Sequence, residues 1–162
     1  MKQIRSLFLF SFLLVACLSS QAVNNTPTAT IPSEDMEFEA AVKQAHDSWS
    51  EFVEHFQSPV SSQTFAAIKV RLTYEDGFSE DIWFDTLNYK DGEFYGMLSE
   101  SSSHSRTSRA GKFILLPKED MIDWMVVEDG KLIGGYTIRL AYSRMSPQEK
   151  EMFLHSIDYS LE

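Results

Sequence analysis

An α+β domain is the fold class this sequence predicts, with a long N-terminal helix packed on an antiparallel sheet of about five or six strands and a short C-terminal helix. Three observations predict it. Residues 34–57 repeat apolar side chains at three- and four-residue steps, the period of a helix with one buried stripe. Short β-rich runs then alternate with Asp-Gly turns between residues 66 and 139. Finally, Ser146-Pro147-Gln148-Glu149 joins a Ser-x-x-Glu capping box to a proline in the first helical turn. Helix, strands, helix is the order that segregates helices from an antiparallel sheet.

The chain opens on an export signal. Lys2 and Arg5 make a positive start, and Ser6 to Ala16 is an apolar run shorter than the roughly 20 residues that span a bilayer. No later segment reaches that length. Leu14-Val15-Ala16-Cys17 resembles the bacterial lipobox, which would make residues 1–16 a lipoprotein signal and Cys17 the lipidated residue. Leu18 after it, rather than Asp, resembles the outer-membrane sorting pattern of Gram-negative bacteria. Ordinary cleavage after Ser20-Gln21-Ala22 is the other reading, with a signal peptide of 1–22 and a tether of 23–33. Both lead to an exported protein, periplasmic or anchored to the outer membrane through Cys17. This is the one cysteine of the chain, so no disulfide staples the domain and no further thiol chemistry is available. Leu18 to Ser33 carries no charge, no apolar period and two prolines, the composition of a flexible tether.

About 129 residues remain, 34–162, enough for a single domain with one core. Without Lys2 and Arg5 the 14 basic residues fall to 12 against 24 acidic ones, a formal charge of −12. So acidic a surface repels nucleic acid and leaves proteins or other envelope components as partners.

Phe38, Ala41, Ala45, Trp49, Phe52 and Phe56 form the stripe of the first helix, with Val42 and Val53 beside them. Ser33 can cap it, Glu34 and Asp35 suit its first turn, and Pro59 ends it. Such a stripe is expected to be core. Ala66, Ile68, Val70, Leu72 and Tyr74 alternate with Ala67, Lys69, Arg71 and Thr73, as in a strand with one covered face. Asp81 to Leu87 and Phe94 to Leu98 follow after short turns, which predicts a three-stranded meander. Ser99 to Arg109 holds six serines in eleven residues and is expected to be a loop and an early site of proteolysis. Lys112 to Leu116 is a fourth strand, stopped by Pro117.

Asp123 to Arg139 is the strongest local signal. Asp129-Gly130 between two β-rich runs predicts a two-residue hairpin, with Glu128 opposite Lys131 and Val126 opposite Ile133. Continuing that register sets Trp124 across from Gly135, where bare backbone leaves room for the indole. It also puts Trp124, Thr137 and Arg139 on one face, Asp123 and Tyr136 on the other, and Arg139 opposite Asp120. In the last helix, Phe153, Ile157 and Leu161 give an apolar edge.

The order Phe65-x-x-Ile68-Lys69-Val70, Glu80-Asp81-Ile82-Trp83, Phe94-x-Gly96-x-Leu98, Gly111-Lys112, Asp123-Trp124-Met125 and Gly134-Gly135-Tyr136-Thr137-Ile138-Arg139 resembles the YegJ-like bacterial proteins, domain of unknown function 2314. The resemblance covers roughly Met36 to Met152. It implies no catalytic residue and no ligand. Members of that family tend to place an Asn-Pro pair after the Gly-x-Leu strand, where this chain has Ser99-Glu100-Ser101.

Candidate binding residues are Trp83, Trp124, Asp123 and Arg139. An indole beside a guanidinium and carboxylates could meet an anionic or aromatic ligand, and could equally form an Asp120–Arg139 surface ion pair. Asp81, Trp83 and Asp85 would share one strand face, which suits acid–base work or plain solvation. His46, His55, His104 and His155 show no metal-ligand spacing, and no nucleophile elbow, phosphate loop or dinucleotide fingerprint is present. The expectation is therefore a non-enzymatic binding domain of the cell envelope, without cofactor or metal. Two other readings stay open. One is a small envelope hydrolase using Asp81, Asp85 or Asp123 with His104 or Arg139, and the other an immunity-type protein that blocks a toxin.

Overall fold

The computed structural model describes residues 35–98 and 111–162. The expected signal segment and tether, with Cys17, and the serine-rich stretch Ser99 to Arg109, expected to be a loop, lie outside those residues. Helices α1 (Met36–Asp47) and α2 (Trp49–Gln57) precede β1 (Gln63–Thr73), β2 (Ser79–Phe84), β3 (Leu87–Lys90), β4 (Glu93–Met97) and β5 (Phe113–Leu116). A 3₁₀ turn at Lys118–Asp120 leads to β6 (Met121–Glu128), β7 (Lys131–Gly134), α3 (Tyr136–Arg144) and α4 (Pro147–Ser156). The class is α+β, as the sequence predicts, but the long helix is broken and the sheet is two sheets.

The helix breaks at Ser48. Its hydroxyl donates 2.8 Å to the Gln44 carbonyl and accepts from Tyr136 Oη at 2.8 Å and Trp124 Nε1 at 3.2 Å. These bonds hold the residue where the apolar stripe must turn to follow the core. At the start of α1 the cap is Asp35, whose carboxylate accepts the Glu37 N–H at 2.9 Å. Ser33, the cap expected from the sequence, is outside the described residues.

The four-stranded sheet has the order β2-β1-β6-β7 and the three-stranded sheet β3-β4-β5, both antiparallel. The expected strand 81–87 thus ends at Phe84, and Leu87 opens a strand of the other sheet. Phe84 and Leu87 both pack into the core between the sheets, so the chain crosses over that core at Asp85-Thr86. Gly96, which pairs with Leu87, lies under the Phe84 ring, where an added Cβ would sit 2.5 Å from a ring carbon. No side chain fits there.

The main core joins three layers. Ile68, Val70, Phe84, Trp124 and Val126 of the four-stranded sheet meet Ala45 and Phe52 of the helices and Phe94, Leu98 and Leu116 from the β4–β5 side. The Phe52 ring centroid is 5.3 Å from that of Phe94 and 5.6 Å from that of Trp124. Burying each such side chain contributes about 1.5–3 kcal/mol. The aromatic stripe of the first helix is core, as expected.

β6 is buried along Met121–Val127 because both of its faces are covered. On the far face Ala67, Met125, Val127 and Leu132 form a second cluster with Trp83, Ile138, Tyr159 and Leu161. The capping box of α4 is present, with Ser146 and Glu149 bonded reciprocally and proline in the first turn. That helix ends at Ser156, so Leu161 belongs to the second cluster and not to the helix edge. The last residues run along β7, where Ser160 accepts from Leu132 N–H at 2.9 Å and donates to the Gly130 carbonyl at 2.8 Å.

Candidate functional site

The β6–β7 hairpin has the expected register through Glu128↔Lys131, Val126↔Ile133 and Met125↔Gly134. It stops there. Gly134 and Gly135 have φ of 69° and 63°, in the left-handed region that glycine enters freely, and the chain leaves them as a helix. The expected strand through Arg139 is therefore α3. The indole of Trp124 covers Gly134, not Gly135, since an added Cβ on Gly134 would lie 2.6 Å from a ring carbon. On Gly135 it would meet the Leu132 side chain instead.

Asp123 explains the turn. It is fully buried at the start of α3, whose N-cap residue Gly135 has no side chain to offer. Asp123 Oδ1 accepts from Trp124 N–H at 2.9 Å and Tyr136 N–H at 3.1 Å. Oδ2 accepts from the Thr137 N–H and the Thr137 hydroxyl, both at 2.7 Å. A strand carboxylate thus satisfies the first N–H groups of the helix, at the end where the dipole favours negative charge. Burial pushes the Asp123 carboxyl up from its ordinary range, while these four bonds pull the other way.

The expected grouping of side chains changes accordingly. Asp123 joins Thr137, and Trp124 joins Tyr136 edge-on with ring centroids 6.0 Å apart. Trp124 Nε1 donates to the Ala45 carbonyl at 3.1 Å, which ties the strand to the helix pair. Arg139 does not face Asp120. It donates to the carbonyls of Gly134 at 3.0 Å, Leu132 at 2.7 Å and Leu161, fastening the C-terminal residues to the corner.

Trp83 lies elsewhere on the sheet, yet on the same face as Asp123. β1 connects them, because Lys69 pairs in register with Trp83 on one side and Asp123 on the other. Lys69 Nζ is 5.9 Å from the Trp83 ring centroid. Next to it Arg71 grips Asp81 with two bonds, Nε to Oδ1 at 2.8 Å and Nη2 to Oδ2 at 3.0 Å. That pairing raises the Arg71 pKa. Burial lowers that of Lys69, partly offset by Asp81 and Asp123. Asp85 follows the end of β2 and is exposed, so it does not continue the Asp81–Trp83 row.

Ser48 is not singled out from the sequence, while Lys69, Arg71 and Thr137 enter there as positions on a strand face and not as site residues. The alternation of β1 does put Ala67, Lys69 and Arg71 on one face, but their neighbours depend on strands far apart in sequence. Among the other polar groups, His46 bonds the Met121 carbonyl at 2.8 Å, His55 meets Glu128 at 3.1 Å and His155 bonds the Glu151 carbonyl at 2.7 Å. His104 is outside the described residues. Among the described residues no three His, Cys, Asp or Glu side chains are grouped to hold a metal, and no helix is long and apolar enough to cross a membrane.

These features define an α+β domain built on a two-sided central strand, with a buried carboxylate at the strand-to-helix corner and a lysine–tryptophan pair on the outer sheet face. Residues 35–159 match the family described as "Uncharacterized protein conserved in bacteria (DUF2314)", and the chain belongs to that family. It is 32% identical to "Uncharacterized protein YegJ" of Escherichia coli K12 over 98 residues, 60% of this chain and 62% of that protein. It is 28% identical over 106 residues to "Putative ankyrin repeat protein NMB1133/NMB1171" of Neisseria meningitidis serogroup B, 63% of this chain and 42% of the relative. The chain thus spans less than two thirds of either relative's length. No solved structure matches it.

Proposed function

We propose that the chain is an exported, non-enzymatic binding domain of the bacterial cell envelope, and that it meets its partner with the outer sheet face around Trp83 and Lys69. One observation carries this reading. Two of the polar residues singled out in the sequence are spent on the fold, since Asp123 accepts four hydrogen bonds and Arg139 donates to three carbonyls. Trp83 and Lys69 are instead half-buried and reach the surface, where an aromatic and a long amine can contact a partner. The signal segment and the lipobox-like Leu14-Val15-Ala16-Cys17 support an envelope location. The acidic charge speaks against nucleic acid.

The experiment is capture from envelope extracts by the wild-type chain and by Trp83→Ser. A defined component retained by the first and lost by the second supports the reading. Turnover of a defined substrate, abolished by changing Asp81 or Asp123 in a folded variant, would replace it with the hydrolase.

A further inference from the structure

Lys69 is an unusual lysine for the middle of a sheet. It is flanked by Trp83 and Asp123 in register, and Ala67 and Met125 of the second apolar cluster lie on the same face. Two carboxylates bracket it without pairing to it. Asp81 gives both of its oxygens to Arg71, and Asp123 gives both of its oxygens to the start of α3. Among the described residues Lys69 has no ion pair and no side-chain hydrogen bond, only the Trp83 ring. An amine on such a site is a nucleophile whenever it is neutral. Burial moves its protonation equilibrium toward the neutral form, against the two nearby carboxylates.

We propose that Lys69 captures carbonyl compounds carried on a flat aromatic body, with the body against Trp83 and the carbonyl carbon at Nζ. The nitrogen lone pair forms the new C–N bond to an aldehyde. The carbonyl oxygen then leaves as water with the two amine hydrogens, and an imine remains. No oxidant or reductant is needed. The ligand class deepens the reading of this face as a binding surface and rests on it.

The test uses the full chain, benzaldehyde below one equivalent, and cyanoborohydride to fix the imine at neutral pH. Peptide mapping by mass then ranks the lysines. The expected result is that Lys69 takes the largest share of the benzyl label, ahead of the exposed Lys43 and Lys90. Trp83→Phe should keep most of that preference, and Trp83→Ser should lose it. Labelling that follows exposure, with Lys69 last in the wild-type chain, overturns the proposal without any variant having to fold. The two readings fail separately. Capture of an envelope component that depends on Trp83, together with uniform lysine labelling, would overturn the imine and leave the binding surface. Selective labelling of Lys69 with no component retained would do the reverse.

Discussion

Asp123 and Thr137, fourteen positions apart, share one carboxylate oxygen: Oδ2 accepts both the backbone N–H and the hydroxyl of Thr137 at 2.7 Å. The central strand thereby dictates where the third helix begins. Asp123→Asn keeps the shape but turns an amide N–H₂ toward a donor, leaving the Thr137 N–H without its acceptor. It should destabilise the domain by about 1–3 kcal/mol, the cost of one buried unsatisfied group. Thr137→Val should cost about 1 kcal/mol for the lost hydroxyl bond. Urea denaturation of both variants checks the order.

The glycine pair gives a sharper comparison. Both residues have positive φ, so a side chain on either is strained by about 1–2 kcal/mol. Gly134 also lies against the carbonyl and indole of Trp124, whereas Gly135 lies against the flexible end of Leu132. Gly134→Ala should therefore lower stability by about 1–3 kcal/mol more than Gly135→Ala. Equal melting temperatures for the two variants would contradict the packing of Trp124 described above.

Arg139 fastens the chain's last residues. Arg139→Met removes the donors to Leu132, Gly134 and Leu161 and should cost about 1–3 kcal/mol. Hydrogen exchange locates the effect. The amides of Leu132 and Ser160, which join the C-terminal residues to the β6–β7 hairpin, should lose protection before those of β1.

Arg144 bonds Asp35 and Glu37 across the start of α1. Its hydrogen bond to Asp35 is the main cause that lowers that carboxyl from 3.8 to about 2. A carboxyl held lower when folded adds stability that is present above its unfolded pKa and lost as pH falls through the folded one. The pair's contribution should thus disappear between about pH 4 and pH 2. Arg144→Met should flatten the stability profile across that window, as followed by circular dichroism against urea. An unchanged slope would mean that the pair is screened by solvent.

The proposed lipid anchor stands or falls with Cys17. Cys17→Ser should divert the protein to cleavage after Ala22 or leave the precursor uncut. In the wild type, detergent partitioning and intact mass should show an acylated chain beginning at Cys17. A soluble species beginning at Val23 without acyl mass would make Cys17 part of an ordinary signal peptide.

Local physics was readable in the sequence wherever it acts over a few residues. The 3.6-residue stripe from Phe38 to Phe56, the alternation of β1, the Asp129-Gly130 turn with its register and the Ser146–Glu149 capping box each depend on neighbours in the chain. So does the family resemblance, which is carried by short motifs. What only the tertiary structure decided depends on residues far apart. Thr137 to Arg139 read as strand by composition, yet they are helix because Asp123 accepts the N–H groups of Tyr136 and Thr137. The stripe reads as one helix, but Ser48 breaks it to meet Trp124 and Tyr136. Trp83, Lys69 and Asp123 share a face only because β1 pairs with β2 on one side and β6 on the other. Hydrogen bonds and packing between distant segments outweighed local propensity there, since a buried carboxylate or indole must find its partners wherever the fold supplies them.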